Sequence, residues 1–481
     1  MGPFHLMRFI LSALLLFFLT SISCFSQFSE KQKMVYTQIA SLEFDSASVL
    51  LATDKDINAP HILLQNYLVA IKLLLHDNKD EFKKLKSRQD DYLQIINTLD
   101  DNDYITKWVR GELYLQWALI KGKFGEQVAA TKDAYTAYQI FKDLENEYPQ
   151  NVLHKKNLGW MHMMASLLPG KIRWLAKMAG VTVNYSLGFE QLSKAAYTPN
   201  DVQGEALLFK EWTDVFVFKN QDTVSSELKR FIQSHPYHEL AKLLEIVILK
   251  KGNHNELMLS AIEKTKLMKQ PYLIYLKACG LMYKARYDEA IDAFKLFLEK
   301  YHYPHYSYDV FLKLAFIAHI SGDNATRDKL IEKIASLPKP DFEQDIYAQN
   351  FAIKGVFPAK ELLIARLYSD GGYMLKADSV CNTIELSQLS PSEKEEYYYR
   401  KGRIAEQLKK NSDAMEWYEK CINNHVEGNY FAPNACLFKG KLLAKTNKKE
   451  AKVYLKRVFK YKNYDYKESI ETKAEKALDE L

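Results

Sequence analysis

From about residue 30 onward, apolar residues return at i, i+3, i+4 and i+7 in stretch after stretch, broken only by short runs of Asn, Asp, Gly or Pro. Leu63 to Leu75, Leu240 to Leu249 and Tyr397 to Leu408 are the clearest cases. No alternation of period two is sustained anywhere, so strands have no pattern from which to form. Turn-forming residues are scarce as well. Gly 18 and Pro 13 in 481 residues come to about half of the roughly 12% that average usage gives. That is too few for a β-sandwich, a barrel or a loop-rich enzyme. With 47% apolar and 26% charged residues, the chain is neither disordered nor a multi-span membrane protein. The expected fold is all-α, built from antiparallel helix pairs, and at this length either several domains or one extended repeat array.

The C-terminal third contains a fixed period. Ala377, Ala414 and Ala451 follow one another at intervals of 37 residues. A small residue precedes each one: Ala365, Gly402 and Gly440. Four and seven residues further on come Cys381 and Ile384, Tyr418 and Cys421, Leu455 and Val458. Two helices cross closely only where side chains are small, and bulky residues one turn away fill the groove. The pattern resembles the tetratricopeptide repeat, which implies helix pairs stacked as an α-solenoid. Ala290, Phe294 and Phe297 repeat the signature upstream, and Phe44, Ala47 and Leu51 suggest another pair near the start. Ala137, Phe141, Leu144 and Pro149 read as the second helix of a pair whose first helix, with Trp108 and Leu115, is expected to be pushed upstream by an insertion.

Residues 159 to 196 break the period and are expected to form an irregular helical hairpin. Ser166-Leu167-Leu168-Pro169 reads as a turn, Gly180 as a helix end, and Gly188-Phe189 as the opening of the next helix. These residues are similar to a signature of the family called tetratricopeptide repeat protein 39 and its Iml-type mitochondrial outer-membrane relatives. The stretch from Pro304-His305-Tyr306 to Gly322 is similar to that family's downstream repeats. The resemblance implies a helical-repeat scaffold without known catalysis, and it supplies no catalytic residues. Within the hairpin, Lys171, Arg173 and Lys177 flank Ile172, Trp174, Leu175 and Met178. This could meet a membrane surface or a partner; the expectation favoured here is a buried cap, because apolar residues at helical spacing usually face a core.

The N-terminus points to export, which departs from that family. Arg8 precedes an apolar run from Phe9 to Leu19, and Thr20 to Ser26 is mostly small and polar. This matches a secretory signal over 1–26, too short to span a bilayer. Cleavage after Ser26 would leave Gln27 first. Cleavage before Cys24 would give a lipid anchor, but Ser21 stands where such a motif has leucine, so the soluble periplasmic or envelope-associated form is preferred. Cys279, Cys381, Cys421 and Cys436 lie in apolar helical contexts without metal spacing and are expected to be core residues.

Candidate chemistry is thin. His235 and His238, and His302 and His305, each place two imidazoles three apart, but beside proline and without a complete ligand set, so turn residues satisfied by backbone are expected rather than a metal site. No GxSxG, GxGxxG, GxxxxGK[ST] or HExxH occurs. Gly440-Lys-Leu-Leu-Ala-Lys-Thr lacks the second glycine of a phosphate loop. Lysines and arginines mix with tyrosines between Lys452 and Lys467, yet a net charge of +6 over the whole chain is not a nucleic-acid footprint. This stretch is expected to cap the array.

The expectation is thus a non-catalytic, cofactor-free exported scaffold that binds a protein or peptide partner on a concave face rich in Tyr and Phe, with membrane association as a further option. A rival is a ligand-binding lipoprotein resembling the SusD-type glycan binders, whose long Gly, Asn and Pro-rich loops this chain lacks. The expected divisions are 1–26 signal, 27–150 N-terminal repeats, 151–200 irregular hairpin, 201–300 middle repeats, and 301–481 C-terminal repeats with a capping helix. The few Gly and Pro residues are read as marking joints between helices, among them Gly372, Gly402, Pro149 and Pro304.

Overall fold

The computed structural model describes residues 27–75, 78–166, 168, 170–217, 223–301, 305–340 and 342–481. The expected signal with Cys24, together with Leu167, Pro169, His302 and Pro304, lies outside the described residues. Among those described, every regular element is helical, as the period required. Packing divides the chain into two compact units, residues 1–248 and 249–481, a division that falls inside the expected 201–300 stretch.

The first unit runs through α1 (Glu30–Ala40), α2 (Phe44–Ala52), α3 (Ala59–Leu75), α4 (Lys79–Leu85), α5 (Arg88–Ile96), α6 (Tyr104–Lys123), α7 (Gln127–Glu147), α8 (Leu153–Ala165), α9 (Gly170–Met178), α10 (Tyr185–Tyr197), α11 (Gln203–Trp212), α12 (Ser226–Ser234) and into α13 (Glu239–Lys251). A π-turn, Thr213–Val217, ends α11. Local sequence fixes several starts. The Ser29 hydroxyl accepts from Gln32 N–H while the Gln32 side chain accepts from Ser29 N–H, a reciprocal cap. Asp103 and Asn184 cap α6 and α10 in the same acceptor role.

The second unit continues with α14 (Asn255–Glu263), α15 (Pro271–Tyr283), α16 (Tyr287–Lys300), α17 (Ser307–Ser321), α18 (Asn324–Ser336), α19 (Glu343–Lys354), α20 (Lys360–Asp370), α21 (Met374–Cys381), α22 (Pro391–Gln407), α23 (Asn411–Asn423), α24 (Phe431–Leu443), α25 (Lys448–Arg457) and α26 (Lys467–Asp479). Pro391 sits in the first turn of α22 behind a Ser390–Glu393 capping box. Gly322 closes α17 in the left-handed region, at φ 81°.

The crossings carry the tetratricopeptide pattern. A Cβ at Gly402 would lie 2.6 Å from the Tyr418 ring, and one at Gly440 2.7 Å from Leu455. Ala377, Ala414 and Ala451 are fully buried, as are Cys381, Tyr418 and Leu455 four residues later. Each small residue therefore admits the bulky side chain of its partner helix, and the pairs lock there. Ala290, Phe294 and Phe297 are buried in the same way, and so are Ala47 and Leu51.

One reading is corrected. Gly402 is not a joint: it lies within α22, where its lack of a side chain admits Tyr418. The insertion expected to push α6 upstream is not in the loop, since only Phe124 to Glu126 separates α6 from α7. Both helices are longer instead, at 20 and 21 residues, and a Cβ at Gly111 would still meet the Phe141 ring at 2.6 Å.

Candidate functional site

In the first unit, α1, α3, α6, α8 and α11 surround a cavity of about 260 Å³. Ile39, Ile71, Leu74, Leu115, Leu119, Leu208 and Phe209 make most of its wall. One end is charged. Lys156 on α8 reaches Glu112 on α6 at 2.8 Å and Glu205 on α11 at 2.6 Å. Tyr36 and Tyr67 both donate to Glu205, at 2.9 and 2.8 Å, and Asn157 donates to Glu112 at 2.6 Å. Behind this, Gln116 donates to Glu112, Asn66 to Gln116, and Trp117 Nε1 to Asn66. Burial pulls the Lys156 ammonium down, but the two carboxylates outweigh it and hold it above the ordinary lysine value. Burial also pushes the Tyr36 and Tyr67 hydroxyls well above theirs. Apart from Asn157 Oδ1, which is buried without a partner, the network's side chains are paired, and it sits at one end of a partly open, mainly apolar cavity, the usual form of a binding site.

The second unit has a groove of different character, also about 260 Å³. Tyrosines dominate it: Tyr272, Tyr275, Tyr283, Tyr306, Tyr347 and Tyr466. Tyr275 and Tyr306 pack at 4.6 Å between ring centres, and Tyr347 and Tyr466 at 5.4 Å. Tyr306 and Tyr466 each precede a helix in the left-handed region, at φ 66° and 62°. Bulky side chains adopt that conformation at a cost of about 1–2 kcal/mol, so the surroundings must hold it. Asp345 does so for Tyr306, accepting from its N–H at 2.7 Å and from Asp309 N–H at 3.0 Å. Lys250, Lys313 and Arg366 line the same groove against Asp309 and Asp370. Lys313 bonds Asp309 at 2.6 Å, and Arg366 donates to Tyr347 at 3.1 Å.

The residues singled out in the sequence have clear places. His238 is buried, and its Nδ1 accepts from Ala241 N–H at 3.2 Å. Burial and the neighbouring His235 lower its pKa to about 4. His235 stacks on Phe231, with its Nδ1 3.1 Å from the Phe231 carbonyl. No group of three His, Cys, Asp or Glu side chains that could hold a metal occurs among the described residues. Cys279, Cys381, Cys421 and Cys436 are free and buried. In the C-terminal stretch Tyr454 donates to Glu419, Tyr461 contacts Cys436 and Tyr464 is buried, so several of its aromatics pack on α23 and α24.

The hairpin divides. Gly159 and Gly188 cross in direct backbone contact and Leu192 and Ala195 are buried, as a core element should be. The short helix between them is not a buried cap. Trp174, Leu175 and Met178 on α9 are 60%, 56% and 68% exposed, because helical spacing of apolar residues does not ensure that a neighbour covers them. No helix of the described residues is long and apolar enough to cross a membrane.

Glu112, Lys156 and Glu205 were not singled out by the sequence. Their only signal is a charged residue beside apolar or small ones, as in Gly111-Glu112-Leu113, and dozens of helix positions share it.

No protein-family model matches the chain, and no curated protein does. Among solved structures, a monomeric mutant of IFIT1 with m7Gppp-AAAA is 16% identical, with a TM-score of 0.31, covering 94% of this chain and 95% of that one. The TPR domain of P58(IPK) is 14% identical, with a TM-score of 0.22, covering 85% and 98%. The repeat type rests on the crossings described above.

Proposed function

We propose that the chain is an exported, non-catalytic helical-repeat scaffold that binds a protein or peptide partner in the cell envelope. The observation that carries the binding role is the tyrosine groove of the second unit. Six tyrosines, two of them held in a costly backbone conformation, surround a space bordered by three cations and two carboxylates. Tyrosine gives large contact area with few rotatable bonds, and strain kept at one surface marks a geometry maintained for use. A photo-crosslinking residue at Tyr272, within the groove, should capture a discrete envelope protein. The same residue at Leu375, which is 75% exposed and outside the groove, should not. Equal capture at both positions, or recovery of a glycan without protein, rejects the reading.

Export is supported by the first described residues. Gln27 N–H and Phe28 N–H both donate to the Asp201 carboxylate, and Phe28 is buried. Cleavage after Ser26 would place a new α-ammonium on that carboxylate, a stronger charge-assisted contact. Mass spectrometry of the mature chain tests this: Gln27 first agrees, a lipidated Cys24 replaces the soluble form with an anchored exported one, and an uncleaved Met1 rejects export.

Membrane association through α9 is a second reading, favoured by its exposed Trp174, Leu175 and Met178 beside Lys177. Vesicles containing phosphatidylglycerol should shift tryptophan emission to the blue and lose that effect in Trp174→Ser. An unchanged spectrum rejects it.

A further inference from the structure

The cavity of the first unit is not absorbed by a partner groove in the second, and its chemistry selects a different kind of ligand. Its charged end holds two carboxylates and one ammonium. These are unequally reachable. The Lys156 side chain is 1% exposed and Glu112 2%, whereas Glu205 is 18% exposed. Tyr36, Tyr67, Lys156 and Asn157 all direct hydrogens at one of the two carboxylates. A ligand arriving at this end therefore meets a carboxylate in surroundings with one negative charge in excess, and the hydroxyl hydrogens near it are already committed. A buried charge imbalance is best met by a cation. The remaining wall, with Ile71, Leu115, Leu119 and Phe209, is mainly apolar; its other polar side chains are Gln116, already bonded to Glu112 and Asn66, and His238, whose Nδ1 accepts from Ala241 N–H. An apolar cavity of about 150 Å³ holds one benzene, so about 260 Å³ holds on the order of ten non-hydrogen atoms.

We propose that this cavity binds a small apolar molecule carrying a single ammonium group, its tail among Ile71, Leu115, Leu119 and Phe209 and its nitrogen against Glu205. The site is built within the first unit alone and stands or falls apart from the partner groove.

The test is calorimetric titration of the purified full-length mature chain with three probes of one length: octylamine, 1-octanol and octanoate. Octylammonium should bind about tenfold or more tightly than octanol, as a charge-assisted contact on a desolvated carboxylate implies, and octanoate should not bind. Leu208→Trp, which fills the cavity from a half-buried position, should abolish binding of octylammonium and octanol alike. Glu205→Gln should bring octylammonium to the level of octanol. Because Glu205→Gln also removes a partner of Lys156, its helical dichroism is recorded alongside; if it does not fold, the three probes on the wild type and on Leu208→Trp decide. Octanol or octanoate binding as tightly as octylammonium, octylammonium failing to bind the folded wild type, or binding that survives Leu208→Trp overturns the proposal.

Discussion

Helices α8 and α10 meet glycine to glycine, and an added methyl group there has nowhere to go. A Cβ at Gly188 would stand 2.4 Å from the Gly159 carbonyl oxygen, 2.8 Å from Met163 Cγ and 2.9 Å from Met163 N. Two of those three atoms are backbone, so no rotamer change relieves the clash and the helices must separate. Alanine in place of glycine inside a helix gains about 1 kcal/mol from propensity, while overpacking a core costs about 1–3 kcal/mol. With backbone displacement the cost lies at the upper end, so Gly188→Ala should lose about 1–2 kcal/mol net. For a unit of this size each kcal/mol moves Tm by about 2–4 °C, which predicts a fall of about 2–8 °C. Gly122→Ala is the opposite case. Its nearest neighbour would be Ala130 Cβ at 3.8 Å, ordinary contact, so the same substitution should raise Tm by up to a few degrees. Tryptophan emission during a thermal ramp is the assay, because five of the six tryptophans, Trp108, Trp117, Trp160, Trp174 and Trp212, belong to the first unit. Gly159→Ala should resemble Gly188→Ala, and the double variant should cost less than the sum, since the helices need be forced apart only once. Gly188→Ala melting at or above the wild type would refute the close crossing.

Three other outcomes follow from single residues. Lys156→Met leaves Glu112 and Glu205 without their cation in a buried site and should cost about 3–5 kcal/mol in urea denaturation, whereas Lys33→Met, at an exposed pair with Glu30, should change nothing measurable; equal effects would show that the buried network carries no stability. His238 titrates near 4 in the fold, so between about 6.5 and about 4 the unfolded chain takes up a proton that the folded chain does not, and stability of the first unit falls as pH drops through that window by at most about 1.4 kcal/mol per pH unit. His238→Asn, which keeps an acceptor for Ala241 N–H, should flatten that segment of the urea-midpoint curve, and an unaltered slope assigns it elsewhere. Burial pushes the thiols of Cys279, Cys381 and Cys436 up to about 11 and that of Cys421 well above its ordinary value, so Ellman's reagent should react slowly with the native mature chain and with four thiols after unfolding; immediate native reaction contradicts their burial.

What the sequence disclosed depended on how far apart the interacting residues lie. Gly402 and Tyr418 are 16 residues apart, Gly440 and Leu455 15, and both members of each contact sit within one repeat, so spacing alone exposes them. The charged end of the cavity is the reverse. Glu112 and Lys156 are 44 residues apart, Lys156 and Glu205 49, and only the stacking of α6, α8 and α11 brings them together. A lysine in a helical pattern reads as solvated by default, and nothing local distinguishes Lys156 from the lysines that are. The α9 surface fails in the other direction: Trp174, Leu175 and Met178 have the spacing of a core face, but whether a neighbour covers that face is a property of the tertiary fold.

The lengthened pair α6/α7 shows why a fixed-period search and the actual packing can disagree while the same contact survives. Gly111 and Phe141 are 30 residues apart, 14 more than Gly402 and Tyr418. The surplus divides evenly at the loop end: twelve residues of α6 follow Gly111, against five of α22 after Gly402, and fourteen of α7 precede Phe141, against seven of α23 before Tyr418. Seven residues are almost two helical turns, so each helix lengthens by about 10 Å while its faces rotate by only about 20°. A change of two or five residues would turn Gly111 away from Phe141 and break the crossing; seven leaves it intact. The added turns of α6 contain Leu119, which walls the cavity together with Leu74 near the end of α3. The in-phase lengthening of one helix pair thus keeps the Gly111–Phe141 crossing while carrying Leu119 into the cavity wall of the first unit.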